Sequence, residues 1–277
     1  MDFISTYRTA FIAALEAGSA ILEVYNSDEF NVTRKSDNTP VTLADMKSHQ
    51  IIHSRLKSTN IPVLSEEDSP EHQKKIKTEE KYWLIDPLDG TYEFISRNGE
   101  FTVNIAFVEN EQPVFGVIYI PCSNLLFAGA INQQACMWEN ISPGNAPSVA
   151  ALLSKKISLP LSKSNDVLTV VASKSHLSPE TIDFIKSIDQ KLKPVQIHQT
   201  GSSIKFCKVA TGEADLYPRM DSIMEWDTAA GQAIIEAAGG CVLTWPDGDS
   251  LRCNHTDFRS PNFLAVAPGR ECKQFFR

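Results

Sequence analysis

"KYWLIDPLDGTYEF", residues 81 to 94, starts as an apolar, strand-like run and ends in two acids, a glycine and a hydroxyl. Asp86 and Asp89 stand either side of Pro87 and Leu88. A turn through that pair can aim both carboxylates at one cation, with a backbone carbonyl between them as a further oxygen, the donor set that hard Mg²⁺ prefers. The same residues also suit an ordinary turn, where Asp accepts backbone hydrogen bonds. Gly90 permits close backbone approach, and the amides of Gly90 and Thr91 can meet phosphate oxygens; plain loop flexibility is the competing reading.

Outward on the N-terminal side, "IPVLSEED" (61–68) repeats the pattern of a short apolar strand ending in acids. If the two strands are neighbours, Glu66 joins Asp86 and Asp89, and three close carboxylates without a cation would repel one another. Glu67 and Asp68 are rival ligands on the same acidic turn, and a solvated charge run accounts for all three singly. The intervening stretch, Glu67 to Lys81, reads as a charged loop.

On the C-terminal side, "FTVNIAFVEN" and "PVFGVIYIP" read as strands joined around "ENEQ", with a further strand at "LLFAGA". Phe3, Tyr7, Phe11, Leu15, Leu22 and Tyr25 recur near helical spacing and predict one long N-terminal helix. "NVTRKSDNTPVTLAD" is polar and extended or turning until Thr42, where a second helix begins with Asp45 in its first turn. Thr42 and Asp45 fit a capping-box exchange. Alternatively, Asp45 points at Thr91 and orients its hydroxyl toward a metal-activated water, with Glu66 assisting deprotonation.

"ISPGNAPS" is rich in turn residues and sets a soft boundary near 145 to 160, giving one domain, 1–277, with approximate lobes 1–150 and 151–277. The second half predicts a strand at "VLTVVAS", a helix opened by Ser178 and Pro179, a strand at "PVQIH" and a helix through "SSIKFCKVATG". A last helix, "WDTAAGQAIIEAAGG", ends at glycines before the strand "CVLTW", and Asp227 at its start reads as an N-cap or a ligand. Mixed helices and sheets give an α+β class.

The net charge of −8 and the lack of a long basic run are a poor footprint for a nucleic-acid polymer or an anionic membrane. Arg8 and Glu16 interrupt the apolar N-terminus, and no run reaches membrane-spanning length. The six cysteines form no CxxC pair or dense cluster, so neither zinc nor a disulfide framework is expected, and the chain reads as cytosolic.

Together, "SEED", "DPLDGT" and "WDTAAG" resemble, in order and spacing, the lithium-sensitive, magnesium-dependent phosphatase family that includes inositol monophosphatase. "SDNTPVTLAD", "NGEFTVNIAF", "GSSIKFC" and "LYPR" are similar to its bacterial, CysQ-like 3′(2′),5′-bisphosphate nucleotidase branch. The resemblance implies an α/β/α/β/α sandwich of the sugar-phosphatase type, two or three Mg²⁺ ions, and hydrolysis of the 3′-phosphate of adenosine 3′,5′-bisphosphate. It implies Glu66, Asp86, the Leu88 carbonyl, Asp89 and Asp227 as ligands bordering the substrate. Asp45 and Thr91 become the water-activating pair, and Gly90 and Thr91 touch the transferred phosphate. Ser173, His176, Gly201, Ser203 and Lys205 become nucleotide-binding candidates, with Lys205 pairing the phosphate that is not transferred. The family also implies a cytoplasmic protein, with peripheral attachment to the inner face of the cell membrane as an option. Tyr92 stands where that branch commonly has Lys, and "MDSIMEWD" replaces its glycine-proline-threonine approach to Trp-Asp. An inositol or other sugar phosphatase shares this site chemistry, and a noncatalytic Mg²⁺/nucleotide sensor could keep the acids without turnover.

Overall fold

The computed structural model describes residues 2–27, 30, 32–34, 40–76, 78–142, 147–161, 167–175, 177–191 and 194–276. The chain opens with α1 (Phe3–Thr6), α2 (Arg8–Tyr25), a small ladder of β1 (Thr33–Arg34) with β2 (Pro40–Val41), and α3 (Leu43–Leu56). β3 (Val63–Ser65), α4 (Pro70–Ile76), β4 (Lys81–Asp89), α5 (Thr91–Ile95), β5 (Thr102–Glu109), β6 (Gln112–Ile120), β7 (Leu125–Ala130) and β8 (Cys136–Trp138) follow. After α6 (Val149–Lys155), β9 (Ile157–Ser158) closes a seven-stranded sheet in sequential order, with only β3 and β4 parallel. The second sheet combines β10 (Leu168–Ser173), β11 (Val195–Thr200), β12 (Leu216–Arg219), β14 (Cys241–Thr244) and β16 (Phe263–Val266) in the order β11-β10-β12-β16-β14. Its helices are α7 (Pro179–Lys191), α8 (Ile204–Thr211) and α9 (Glu225–Ala237), and β13 (Ile223–Met224) pairs separately with β15 (Arg259–Ser260).

Strand alternation builds the layers. Trp83, Ile85, Val103, Ile105, Phe115, Val117 and Tyr119 pack on α2 and α3, while their neighbours Leu84, Ala106, Ile118 and Ile120 pack on α8 and α9. Both faces of the sheet are buried, so its strands are apolar throughout. The second sheet repeats this: Val171, Tyr217, Phe263 and Ala265 face α8 and α9, whereas Val170, Leu216, Leu264 and Val266 face Phe184, Ile185 and Ile188 of α7. The result is the α/β/α/β/α sandwich that the resemblance implies. Among the described residues, no helix is long and apolar enough to cross a membrane.

Three expectations change. The long N-terminal helix is broken at Tyr7, whose ring stacks 4.1 Å from Phe115, leaving α1 and α2 as separate pieces. The charged stretch after Glu67 contains α4, whose polar faces hide it because only Ile76 is buried. Cys241 and Cys272 form one disulfide where no framework is expected, because β14 lies at a sheet edge where the C-terminal turn reaches it. Parts of "NVTRKSDNTPVTLAD" (residues 31 and 35–39) and "ISPGNAPS" (143–146), together with His176, lie outside the described residues.

Candidate active site

The parallel pairing of β3 with β4 does what the two acid-ending strands require. Ser65 lies opposite Ile85, and the Glu66 amide donates to the Ile85 carbonyl at 3.2 Å, so the acids following both strands emerge together. Asp68 turns away, its carboxylate accepting from the Ser65 amide at 2.8 Å beside His72. That separates the rivals of the SEED turn: Glu66, Asp86 and Asp227 each present an oxygen within 4.8 Å of the others.

Past Asp86, β4 leaves register with β5 until Asp89. Within this bulge the Leu88 amide donates to Asp86 at 3.0 Å, and the Ser48 hydroxyl donates to the Pro87 carbonyl at 2.6 Å. Gly90 then takes φ of 95°, a left-handed conformation that favours glycine, and opens α5. Asp89 accepts from the Ser203 amide at 2.5 Å and from Asn104 at 3.4 Å, linking the bulge to the second half of the chain.

Asp227 is not the N-cap of its helix. α9 starts two residues earlier, and Asp227 accepts from the amide of the capping residue Met224 at 3.2 Å. Burial first, then the charges of Glu66, Asp89 and Asp227, holds the Asp86 carboxyl well above the usual carboxylate range. Asp227 is raised in the same way by burial, Asp89 and Glu66. Acids gathered and buried in this way call for a counter-charge, and an all-oxygen donor set of this kind fits a hard divalent cation.

Asp45 makes a contact on each side, to Thr42 and to Thr91. One carboxylate oxygen accepts from the Thr42 amide at 2.7 Å and the Thr42 hydroxyl at 2.6 Å, completing the capping box. The other accepts from the Thr91 hydroxyl at 3.2 Å. Burial raises Asp45 to about 6, opposed by the Thr42 bonds.

Leu88, Gly90, Ser173, Ser203 and Lys205 line the same cleft of about 510 Å³ as the acids, whereas Gly201 does not line it. A Cβ on Gly201 would come within 2.6 Å of Glu93, so its glycine serves packing there. Lys205 is buried, and its ammonium donates to the Ser202 carbonyl at 2.6 Å. Burial lowers its pKa to about 8 against the pull of Asp89. Sequence reasoning missed Glu93, which is buried and accepts from Ser175, and Arg219, Ser222 and Arg259, which line the same cleft. Arg219 ends the quoted "LYPR"; nothing in the sequence marks Arg259.

A five-layer α+β sandwich with its acids at adjoining strand ends defines the class, and the chain belongs to the inositol monophosphatase family, whose pattern matches residues 4–274. That family is metal-dependent, usually with Mg²⁺. The chain is 39% identical over 256 residues to the 3′(2′),5′-bisphosphate nucleotidase CysQ of Shigella flexneri, covering 90% of this chain and 95% of that protein. It is 40% identical over 239 residues to the CysQ of Buchnera aphidicola, with 85% and 83% covered. The crystal structure of CysQ from Bacteroides thetaiotaomicron superposes with a TM-score of 0.87 at 41% identity, covering 97% of this chain and 99% of that one.

Proposed function

We propose that this chain is a metal-dependent 3′(2′),5′-bisphosphate nucleotidase of the cytoplasm, which hydrolyses the 3′-phosphate of adenosine 3′,5′-bisphosphate to AMP and phosphate. The observation that carries the reading is the meeting, in one cleft, of the Glu66-Asp86-Asp227 cluster with Thr91, whose hydroxyl is bonded to the buried Asp45 behind it. Glu66, Asp86, the Leu88 carbonyl, Asp89 and Asp227 would hold Mg²⁺, in two or three ions. The bound metal supplies charge neutralisation at phosphorus and a stronger water nucleophile.

The remaining work belongs to the chain. With its proton directed at Asp45, the Thr91 oxygen keeps lone pairs to accept from the attacking water. Asp45 is fixed by Thr42, so the threonine cannot rotate freely. Glu66 takes up the proton released as the new P–O bond forms, and the 3′-oxygen, its bond to phosphorus broken, takes a proton from solvent water and leaves as the 3′-hydroxyl of AMP. The first amides of α5, at Gly90 and Thr91, face the phosphoryl oxygens. Ser173 and Ser203 border the nucleotide. Residues 1–277 act as one phosphatase domain in two lobes, about 1–150 and 151–277, a reading supported by the core that α8 and α9 share with both sheets.

Phosphate release from adenosine 3′,5′-bisphosphate and from inositol 1-phosphate, each with Mg²⁺ and with EDTA, tests this. Mg²⁺-dependent release strongly favouring the bisphosphate is expected. Preference for inositol 1-phosphate makes the chain a sugar phosphatase, and binding without release makes it a sensor.

A further inference from the structure

One side of α3 is polar and yet buried. Asp45, Ser48 and His49 lie at i, i+3 and i+4, the spacing that puts three side chains on one face of a helix, and Asp45 and Ser48 are 2% and 0% exposed. Each reaches a different segment around the acids. Asp45 meets the Thr91 hydroxyl, Ser48 the Pro87 carbonyl, and the His49 ring lies 2.9 Å from the hydroxyl of Ser65, the residue before Glu66. Asp45 already has a part in the mechanism; Ser48 has none.

A serine inside a helix commonly returns its hydroxyl to a carbonyl one turn back. Ser48 instead crosses to Pro87, 39 positions away, at 2.6 Å. The carbonyl it meets needs that partner. β4 leaves register with β5 between Asp86 and Asp89, and its pairing with β3 ends at Ile85, so among the described residues Pro87 and Leu88 stand opposite no strand residue. The Pro87 ring fixes its own φ, but the peptide joining it to Leu88 can still turn about Pro87 ψ and Leu88 φ. Two hydrogen bonds stop that turn. The carbonyl end accepts from Ser48, and the amide end donates to Asp86 Oδ1 at 3.0 Å. One peptide plane thus couples a helix hydroxyl to a carboxylate of the Glu66-Asp86-Asp227 cluster.

We propose that Ser48 is a positioning residue for the metal site: through the Pro87–Leu88 peptide it holds the Asp86 carboxylate in the orientation that receives the cation. The proposal rests on the metal-dependent reading above. Ser48 does not line the cleft, so it acts on Asp86 and not on the substrate. Without its hydroxyl the buried Pro87 carbonyl is unpaired and the peptide can turn, so Asp86 loses its fixed donor. Binding a cation must then reorder the bulge. Loss of a partner that orients a ligand weakens metal binding by about ten- to a hundredfold.

The test compares Ser48→Ala with the unaltered protein in three measurements made without substrate: calorimetric titration with Mg²⁺ alone, hydrogen exchange at the Leu88 amide in EDTA, and thermal unfolding in EDTA. The Mg²⁺ affinity of the variant should fall about ten- to a hundredfold, and its Leu88 amide should exchange several times faster. Alanine favours the helix, so the variant stays folded. With substrate added, its turnover should climb back toward that of the unaltered protein as Mg²⁺ is raised, with KM for the bisphosphate held at saturating metal. An unchanged Mg²⁺ affinity, even with a lower unfolding midpoint, makes Ser48 merely structural and overturns the proposal while the nucleotidase reading stands. Weaker Mg²⁺ binding with unchanged Leu88 exchange also overturns it, because the route through the peptide is then wrong. An unaltered protein that binds no Mg²⁺ sinks both.

Discussion

Asp45 carries two loads on two oxygens, and the variants that separate them are specific. Thr91→Ala removes the hydroxyl bonded to Asp45 together with a partly exposed methyl, so turnover should fall by about a hundredfold or more, the range for a positioned proton-transfer group, with the thermal midpoint nearly unchanged. Asp45→Asn should lose turnover similarly and also weaken the cap of α3, at about 1 kcal/mol in denaturant unfolding. Because Asp45 acts on the reaction through Thr91, the double variant should be no slower than the slower single one. Losses that multiply would show that the two act independently. Asp86, Asp89 and Thr91 were legible because they sit in one contiguous turn. Glu66 was not separable from Glu67 and Asp68 by sequence, since the choice depends on the Ser65 amide capturing Asp68. The place of Arg259 in the cleft was illegible because it depends on a strand pair of two residues each.

At the scale of elements, α9 is the part that joins the site to the fold. It packs so closely on the first sheet that a Cβ on Gly116 of β6 would lie 2.2 Å from the Ala230 carbonyl oxygen. The obstruction is backbone, which no side-chain rotation relieves. Gly116→Ala should therefore destabilise the protein by about 2 to 3 kcal/mol, the cost typical of an overpacked core. It should also reduce turnover in the protein that remains folded, because displacing α9 displaces Asp227. An unchanged unfolding midpoint would mean that α9 yields freely. The strands of the first sheet could be read from their apolar runs, and α9 from its closing glycines. The close approach of α9 to β6 could not, because a strand glycine looks the same whether it faces a helix backbone or a bulge.

For the molecule as a whole, five layers leave the outer face of the second sheet covered by α7 and by the last residues of the chain. Phe275 is buried there, and the Phe276 ring lies 5.3 Å from Trp245, which in turn meets Phe184 of α7 at 4.8 Å. The disulfide between Cys241 and Cys272 ties this cover to the edge strand across a sequence separation of 31 residues. No spacing pattern announces it, because the pairing is created by the strand order that leaves β14 at the edge. Closing a loop of this length restricts the unfolded chain by about 3 to 4 kcal/mol in the loop-entropy account. Cys272→Ser, or reduction of the native bond, should lower stability by up to that amount, read as a shift of the urea midpoint. Turnover at moderate temperature should hold, since the second sheet stands between the bridge and the cleft. A midpoint insensitive to both treatments would mean that Phe275 and the stacked rings hold the C-terminal turn without the bond.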